Sequence, residues 1–253
     1  MIREFNIHTP SGKIFAVFSD GFHSDSAPLV ILCHGLMMNC GQNPVRGISD
    51  GFNEAGYDTL RFDFRGSGLS DGKITEMTPL TEVDDLMNVV NYAVNFLGRE
   101  DIVICGHSLG GLVSLLASAG MEKKGGSHVK GLVLFAPAVN IETDSKEGRV
   151  AMETFDPINI PNEVAVWGSA LGRCYFTTAS HLDTFNAISC YTGPLCVLMG
   201  ERDRLVTLNY AEKIKAALPQ AELHVIPRGD HLFSRGIRIK AVETALAFMS
   251  GLK

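Results

Sequence analysis

The chain has 253 residues, of which 45% are hydrophobic and 20% charged, and these proportions exclude a disordered, collagen-like or coiled-coil protein. Its 22 Lys and Arg residues against 28 Asp and Glu residues give a formal net charge of -6 without any basic run, so nucleic acid and anionic membrane are poor partners. Glycine accounts for 26 of the 253 residues, which is a larger share than the average of roughly 7%. The length suits one core, and we expect residues 1–253 to form a single domain.

The N-terminal residues and the cysteines indicate the compartment. The first ten residues, MIREFNIHTP, contain charges and no apolar run, so we expect no secretory signal peptide. No apolar stretch reaches the length of about 18 residues that a membrane span needs. The six cysteines show no CxxC spacing and are typical of reduced, buried thiols. We therefore expect a cytoplasmic protein without a membrane partner.

Short apolar segments predict the strands of the fold. The first two, Ile2–His8 and Lys13–Phe18, flank a Pro-Ser-Gly turn and predict an antiparallel hairpin. The later predicted elements are strand 29–33, helix 47–55, strand 59–64, helix 79–97, strand 102–105, helix 109–119, strand 129–135, strand 195–199, helix 208–218, strand 222–226 and helix 237–249. Buried strands that alternate with helices predict an α/β fold with a mostly parallel sheet covered on both faces.

Residues 139–192 interrupt this alternation. They separate two predicted strands by about fifty residues, which is longer than an ordinary connection in an α/β fold. The interval is rich in aromatic residues and contains Pro157 and Pro161. We predict a small helical insertion that forms a cap over the carboxyl ends of the strands, where ligands bind in such sheets.

The strongest chemical signal is the Gly106–Gly111 segment, GHSLGG, directly between a predicted strand and a predicted helix. A serine on this sharp turn exposes its hydroxyl at a helix N-terminus, where free N–H groups favour negative charge, and the flanking glycines avoid clashes. The same pattern occurs at Gly68–Gly72, but no apolar helix follows it. We therefore predict Ser108 as a nucleophile.

A serine hydroxyl needs a base, and histidine is the usual one. Among the eight histidines, His231 follows the last predicted strand in a Gly-Asp-His loop at the carboxyl edge of the sheet. His107 lies inside the serine turn, and we expect it to face away from the place that a base must occupy. These positions predict His231 as the base.

The base in turn needs a carboxylate that orients its ring. Asp203 lies four residues past the predicted strand 195–199, again at a carboxyl end. Glu201 is a close rival, and Asp230 is adjacent to His231 but cannot easily reach its ring. We predict Asp203 as the acid.

An oxyanion formed during acyl transfer needs backbone N–H donors. The His34-Gly35-Leu36 segment follows the predicted strand 29–33, and the N–H of Leu36 is expected to converge with that of Leu109 on the reacting carbonyl. Both roles belong to the backbone, so only proline would remove a donor.

Cofactor motifs are absent from the sequence. There is no metal-ligand spacing such as HExxH and no GxGxxG pattern, so we expect neither a metal nor another cofactor. In the segment Arg61–Gly72, we expect Asp63 and Arg65 to brace the loop by pairing with each other and with its backbone.

These motifs together identify the chain as resembling the α/β-hydrolase superfamily. The order Ser108, Asp203, His231 is the order of that superfamily. More closely, VILCHG at Val30–Gly35, RFDFRGSGLSDGK at Arg61–Lys73 and APAV at Ala136–Val139 resemble the bacterial cinnamoyl and feruloyl esterases.

The resemblance implies hydrolysis of esters of hydroxycinnamic acids, with a cap inserted after the sixth strand of the core. It also implies that an acidic cap residue binds the ring hydroxyl, and Asp144 matches that position, with Glu142 and Glu147 as rivals. The segment Leu36–Asn39 departs from the pattern of these esterases, which more often carry an aromatic and small polar residues there.

We therefore expect a serine carboxylic-ester hydrolase that acts on a small-molecule ester. A monoacylglycerol-type lipase, a thioesterase or a small peptidase of the same fold are alternatives within the enzyme class. A catalytically silent ligand receptor is the alternative from another class. The sequence leaves a homodimer open.

Overall fold

The computed structural model describes residues 1–21, 27–123, 128–234 and 236–252. Within these ranges the strands are β1 (Ile2–Thr9), β2 (Gly12–Ser19), β3 (Leu29–Cys33), β4 (Thr59–Phe62), β5 (Ile102–His107), β6 (Val129–Phe135), β7 (Arg149–Val150), β8 (Glu153–Thr154), β9 (Glu163–Val166), β10 (Ser169–Gly172), β11 (Leu195–Gly200) and β12 (Glu222–Ile226). The helices are α1 (Val45–Glu54), α2 (Pro79–Asn95), α3 (Leu109–Lys123), α4 (Ile141–Lys146), α5 (Arg173–Ala179), α6 (Thr184–Ile188), α7 (Asn209–Ala217) and α8 (Ile237–Met249). A short 3-10 turn covers Ile74–Glu76.

Eight strands form the central sheet in the order β1-β2-β4-β3-β5-β6-β11-β12. The N-terminal pair β1 and β2 is antiparallel, and β2 also pairs antiparallel with β4. The pairs from β4 through β3, β5, β6 and β11 to β12 are parallel. The predicted α/β architecture, a mostly parallel sheet with an N-terminal antiparallel hairpin, is confirmed.

The sheet separates two apolar layers because successive strand residues point to opposite faces. Val30 and Val103 pack with residues of α1 and α8 on one face. Ile31 and Ile104 pack with residues of α2 and α3 on the other face. All five residues of β3 are buried, which explains why this strand is continuously apolar instead of alternating. This packing fixes the carboxyl ends of β3, β5, β11 and β12 at one edge.

The segment between β6 and β11 contains three short helices and two small antiparallel sheets, β7-β8 and β9-β10. The sequence predicted helices here, and the structure adds the two hairpins. The turn of the second hairpin consists of Trp167 and Gly168, with φ of 48° and 82°. Left-handed backbone at both turn positions is usual in tight hairpins, but tryptophan is a rare residue there, so this turn is not predicted by the usual hairpin residues.

None of the helices in the described ranges combines the length and apolar character that crossing a membrane requires. The same part of the chain brings no three His, Cys, Asp or Glu side chains together in a group that could hold a metal ion.

Candidate active site

Ser108 occupies the turn from β5 into α3. Its φ of 55° lies in the left-handed region, where non-glycine residues are rare and strained. The glycines around it allow close backbone approach: a Cβ at Gly106 would lie 2.6 Å from the Cα of Gly111, and one at Gly110 would lie 2.5 Å from the carbonyl oxygen of Cys33. The serine turn therefore has the strained geometry that the GHSLGG segment predicts.

Ser108, His231 and Asp203 form a hydrogen-bonded chain. The Ser108 hydroxyl donates to Nε2 of His231 at 2.9 Å, and Nδ1–H of His231 donates to Oδ2 of Asp203 at 2.7 Å. The other carboxylate oxygen, Oδ1 of Asp203, accepts from the N–H groups of Leu205 and Val206 at 2.8 and 2.9 Å. Three donors orient the Asp203 carboxylate, and that carboxylate fixes the tautomer of His231 that leaves Nε2 free to accept the serine proton.

The rival carboxylates bond elsewhere. Oδ1 of Asp230 accepts from the N–H of Ser234 at 2.8 Å, and Oε2 of Glu201 accepts from the N–H of Arg228 at 2.7 Å. Of the acidic residues that the sequence left open, the structure brings Asp203 to the ring of His231.

His107 lies beside His231 and holds its backbone. Nε2–H of His107 donates to the carbonyl oxygen of His231 at 2.9 Å, and the two ring centroids are 4.9 Å apart. Burial, together with the neighbouring His231, lowers the pKa of His107 to about 3, so its ring is neutral at ordinary pH. Sequence reasoning missed this contact, because a histidine within the turn was expected only to face away.

The expected oxyanion donors lie at the same cavity as the serine. Leu36 and Leu109 line this cavity together with Ser108 and His231. In the described part of the chain, neither residue's backbone N–H donates to another protein group. Both donors are therefore free for a ligand.

His34 orients the peptide that carries the first of these donors. Its Nδ1–H donates to the carbonyl oxygen of Gly35 at 2.9 Å, and its Nε2 accepts from the N–H of Phe64 at 3.0 Å. The Gly35 carbonyl and the Leu36 N–H belong to one planar peptide and point in opposite directions. Holding the carbonyl therefore also sets the direction of the N–H.

The cavity continues from Ser108 toward the segment between β6 and β11. Its volume is about 60 Å³. The apolar part of its lining consists of Leu36, Leu109, Ala138, Ile141, Val150, Ala151, Trp167, Leu205 and Val206, and the polar part, besides Ser108 and His231, consists of Asn140, Asp144, Ser145, Arg149 and Tyr175. A mostly apolar lining with a few polar side chains suits a mostly apolar ligand that carries a polar group.

Asp144 is the acidic residue of this cavity wall. Its Oδ2 accepts from Nδ2 of Asn140 at 2.6 Å, and its Oδ1 pairs with Arg149 at 2.8 Å. The rivals Glu142 and Glu147 are absent from the lining among the described residues. Glu142 instead bonds Lys146 at 2.6 Å and the N–H of Thr184 at 2.7 Å.

Two of the aromatic residues in the interval 139–192, Trp167 and Tyr175, line the cavity, and the sequence did not show which of its aromatics would do so. Tyr175 is 1% exposed, and burial raises the pKa of its phenol, with Glu82 and Asp144 adding to the shift. Trp167 is 53% exposed although it lines the same cavity. A tryptophan at a hairpin turn lies at the mouth of the cavity, and no sequence periodicity marks that position.

The Arg61–Gly72 segment braces its loop, but not by the predicted pair. The oxygens of Asp63 accept from the N–H groups of Cys40 and Leu69 at 2.7 and 2.8 Å. Arg65 pairs with Asp85 at 2.8 Å and not with Asp63. The expected Asp63–Arg65 pair is therefore wrong, because the carboxylate is occupied by loop N–H groups and the guanidinium reaches α2.

The parallel sheet and the serine turn, with its histidine and aspartate at the ends of neighbouring strands, define an α/β-hydrolase. Residues 24–166, more than half of the chain, match the family described as serine aminopeptidase, S33. The chain belongs to this family. The matched residues include Ser108 but end before Asp203 and His231.

Solved and curated proteins extend the comparison. The structure of Est1E from Butyrivibrio proteoclasticus with ferulic acid bound has 27% identity and a TM-score of 0.88, covering 97% of this chain and 99% of that chain. The resemblance to an α/β-hydrolase esterase that the sequence motifs suggested is thereby confirmed.

A monoacylglycerol lipase from Mycolicibacterium smegmatis is 30% identical over 118 residues, which are 46% of this chain and 40% of the lipase. A 31.7 kDa Escherichia coli protein of the traX-finO intergenic region is 37% identical over 91 residues, which are 33% of this chain and 30% of that protein. The chain thus spans less than half of the length of these curated relatives.

Proposed function

We propose that this chain is a serine carboxylic-ester hydrolase that releases hydroxycinnamic acids through an acyl-enzyme on Ser108. The hydrogen-bonded chain from Ser108 through His231 to Asp203 is the observation that carries the proposal. Each atom in it has the donor or acceptor role that nucleophilic attack by a serine needs.

In the first half of the reaction, Nε2 of His231 takes the proton of the Ser108 hydroxyl while Oγ bonds to the ester carbonyl carbon. The carbonyl oxygen becomes an oxyanion that accepts from the N–H groups of Leu36 and Leu109. Asp203 stabilises the imidazolium that forms. The tetrahedral intermediate then expels the alcohol oxygen, which takes the proton from Nε2, and the acyl group remains on Ser108.

In the second half, a water molecule replaces the alcohol. Its proton passes to Nε2 of His231 as its oxygen bonds to the acyl carbon, and a second tetrahedral intermediate forms on the same two N–H donors. Return of the proton from Nε2 to Oγ of Ser108 releases the carboxylic acid and restores the free serine.

The cavity supports an aromatic acyl group with a ring hydroxyl. Its apolar lining suits the phenylpropenoyl part, and Asp144 in the same lining suits the ring hydroxyl as a hydrogen-bond acceptor. The similarity to Est1E, whose structure contains ferulic acid, agrees with this assignment. In this proposal, residues 139–192 act as a cap within a single hydrolase domain.

A monoacylglycerol-type lipase is the second candidate. The apolar residues Leu36 and Leu109 beside Ser108 also suit an aliphatic chain, and one curated relative is a monoacylglycerol lipase. An aliphatic substrate would make no use of Asp144, so the two candidates differ in what they require of that carboxylate.

Steady-state kinetics separates the candidates. We expect kcat/KM for methyl ferulate to exceed that for methyl cinnamate, which lacks the hydroxyl, and Asp144→Ala to reduce this preference about tenfold. Preference for a monoacylglycerol or p-nitrophenyl butyrate, with no effect of Asp144→Ala on selectivity, would favour the lipase. Preferred cleavage of an aminoacyl p-nitroanilide would instead indicate a peptidase.

Labelling by a fluorophosphonate probe tests the nucleophile itself. We expect the wild type to be labelled and Ser108→Ala to be unlabelled. Equal labelling of both proteins overturns the assignment of Ser108, and binding of methyl ferulate without repeated turnover indicates a ligand receptor instead.

A further inference from the structure

Asn140 makes hydrogen bonds to two different parts of the site. It directly precedes α4 and is 7% exposed. Its Nδ2 donates to Oδ2 of Asp144 at 2.6 Å and to the carbonyl oxygen of Leu205 at 3.1 Å. One amide group therefore joins the proposed ring-binding carboxylate to the loop that follows Asp203.

On the side of Asp203, the residue that Asn140 contacts is itself hydrogen-bonded to the Asp203 carboxylate. The N–H of Leu205 donates to Oδ1 of Asp203 at 2.8 Å, while its carbonyl accepts from Asn140. The backbone of Leu205 is thus held from both sides. Movement of Asn140 would shift a donor that orients the carboxylate paired with His231.

On the side of the substrate, Asn140 and Arg149 hold separate oxygens of Asp144. Asn140 is buried, whereas the side chain of Arg149 is 47% exposed. The exposed ion pair is worth little and changes with salt, so the bond from Asn140 is the better fixed of the two. A carboxylate has about four acceptor sites, which leaves capacity for a substrate hydroxyl.

Packing alone does not explain an amide at this position. Oδ1 of Asn140 is buried and has no hydrogen-bond partner within the described residues. An unmatched buried acceptor lowers stability, so an apolar side chain of this size would suit a structural role better. The two bonds donated by Nδ2 are what the amide provides.

We propose that Asn140 is a positioning residue that couples recognition of the substrate's distal hydroxyl at Asp144 to the placement of Asp203. The substrate part of this inference rests on the proposed function, and the part concerning Asp203 requires only that the chain hydrolyses esters. Through this coupling, one residue, Asn140, orients both the Asp203 carboxylate and the Asp144 carboxylate that binds the substrate hydroxyl.

The test compares two substrates in Asn140→Leu, which keeps the size of the side chain and removes both donated bonds. With p-nitrophenyl acetate, which has no hydroxyl for Asp144, we expect kcat to fall about tenfold. With methyl p-coumarate we expect the same fall in kcat and, in addition, a rise in KM of about tenfold. Active sites are counted by fluorophosphonate labelling, so that a loss of folded protein is not read as a loss of kcat.

Asn140→Asp is the second variant, because it preserves shape while replacing the donor with an acceptor facing Asp144. We expect it to be at least as impaired as Asn140→Leu. Asn159→Leu is the matched control: Asn159 is exposed, and its Nδ2 donates to Asp156. Kinetic constants of this control should equal those of the wild type.

Unchanged kcat for p-nitrophenyl acetate in both Asn140 variants overturns the coupling to Asp203. An equal fall in kcat for both substrates with no selective rise in KM overturns the coupling to Asp144. If the wild type hydrolyses p-nitrophenyl acetate but not methyl p-coumarate, the proposed substrate is wrong, while the kcat of the variants with acetate still decides the coupling to Asp203.

Discussion

Nε2 of His107 and the backbone carbonyl of His231 are joined by a hydrogen bond of 2.9 Å that links the serine turn directly to the loop of the base. His107, which directly precedes Ser108, thus holds a residue of the loop that follows β12. Because burial keeps His107 neutral, it places no positive charge beside the imidazolium that forms on His231 during the reaction.

Replacing His107 should therefore impair turnover. We expect His107→Leu, which removes the donor, to reduce kcat by about tenfold or more, and His107→Gln, which retains an N–H donor, to be affected less. Steady-state kinetics on p-nitrophenyl acetate measures both. Equal activity of His107→Leu and the wild type would show that the bond does not position His231.

The lowered pKa of His107 also predicts a pH dependence of stability. The folded-state pKa of about 3 lies below the unfolded value of 6.5. Between these two pH values the unfolded state therefore binds one proton more than the folded state. The contribution of this residue to stability is complete above pH 6.5 and is lost as the pH falls toward 3. Urea unfolding at pH 7.5 and 4.5 should show His107→Gln losing about 2–3 kcal/mol less than the wild type between the two pH values. Identical losses would contradict the pKa shift.

The backbone of Leu36 is predicted to be more important than its side chain. Leu36→Pro removes the N–H donor and should reduce kcat by about 10²–10³-fold, whereas Leu36→Ala keeps the donor and should retain most of the activity. Kinetics on a short ester measures the effect, and thermal unfolding controls for damage to the loop. An equal loss in both variants would assign the role to the side chain.

Replacing the Glu82 carboxyl by a neutral amide is predicted to stabilise the folded protein at neutral pH. It is 2% exposed, its Oε2 has no partner in the described ranges, and burial raises its pKa well above the usual value, with Asp85 adding to the shift. Because the folded state holds a proton that the unfolded state releases, stability falls as the pH rises above about 4.5. Glu82→Gln should equal the wild type near pH 4 and exceed it at pH 7, by no more than about 1.4 kcal/mol per pH unit. A less stable Glu82→Gln at pH 7 would contradict this.

The single tryptophan offers a direct signal for ligand binding. Trp167 is 53% exposed at the mouth of the cavity, so a ligand that enters should shield its ring. In Ser108→Ala, we expect ferulic acid to reduce acrylamide quenching of the tryptophan fluorescence in a saturable way. Quenching that stays constant at saturating ligand would place the binding site elsewhere.

The sequence predicted the sheet and the serine turn because their signals are local. Buried strands such as β3 are continuously apolar, and Ser108 stands between a strand and a helix with glycines where space is short. Gly106 and Gly110 are two such glycines, since they lie where neighbouring backbone approaches closely.

The rest of the site depends on contacts between distant parts of the chain. The bonds from His107 to His231 and from Asn140 to Leu205 join residues separated by 124 and 65 positions, and no spacing rule marks them. The Asp63–Arg65 pair failed for the same reason, because the true partner of Arg65 lies on α2, 20 positions away. Local patterns predict Ser108 as the nucleophile, whereas the contacts of His107 and Asn140 become visible only in the fold.

The acyl-enzyme is the central claim, and mass spectrometry of the intact protein tests it most directly. Acid quenching within the first turnover of methyl ferulate should give a protein heavier by one feruloyl group, and peptide mapping should place that group on Ser108. Ser108→Ala should gain no mass and hydrolyse the ester several orders of magnitude more slowly. An acyl group on another residue, or undiminished turnover by Ser108→Ala, would contradict the account.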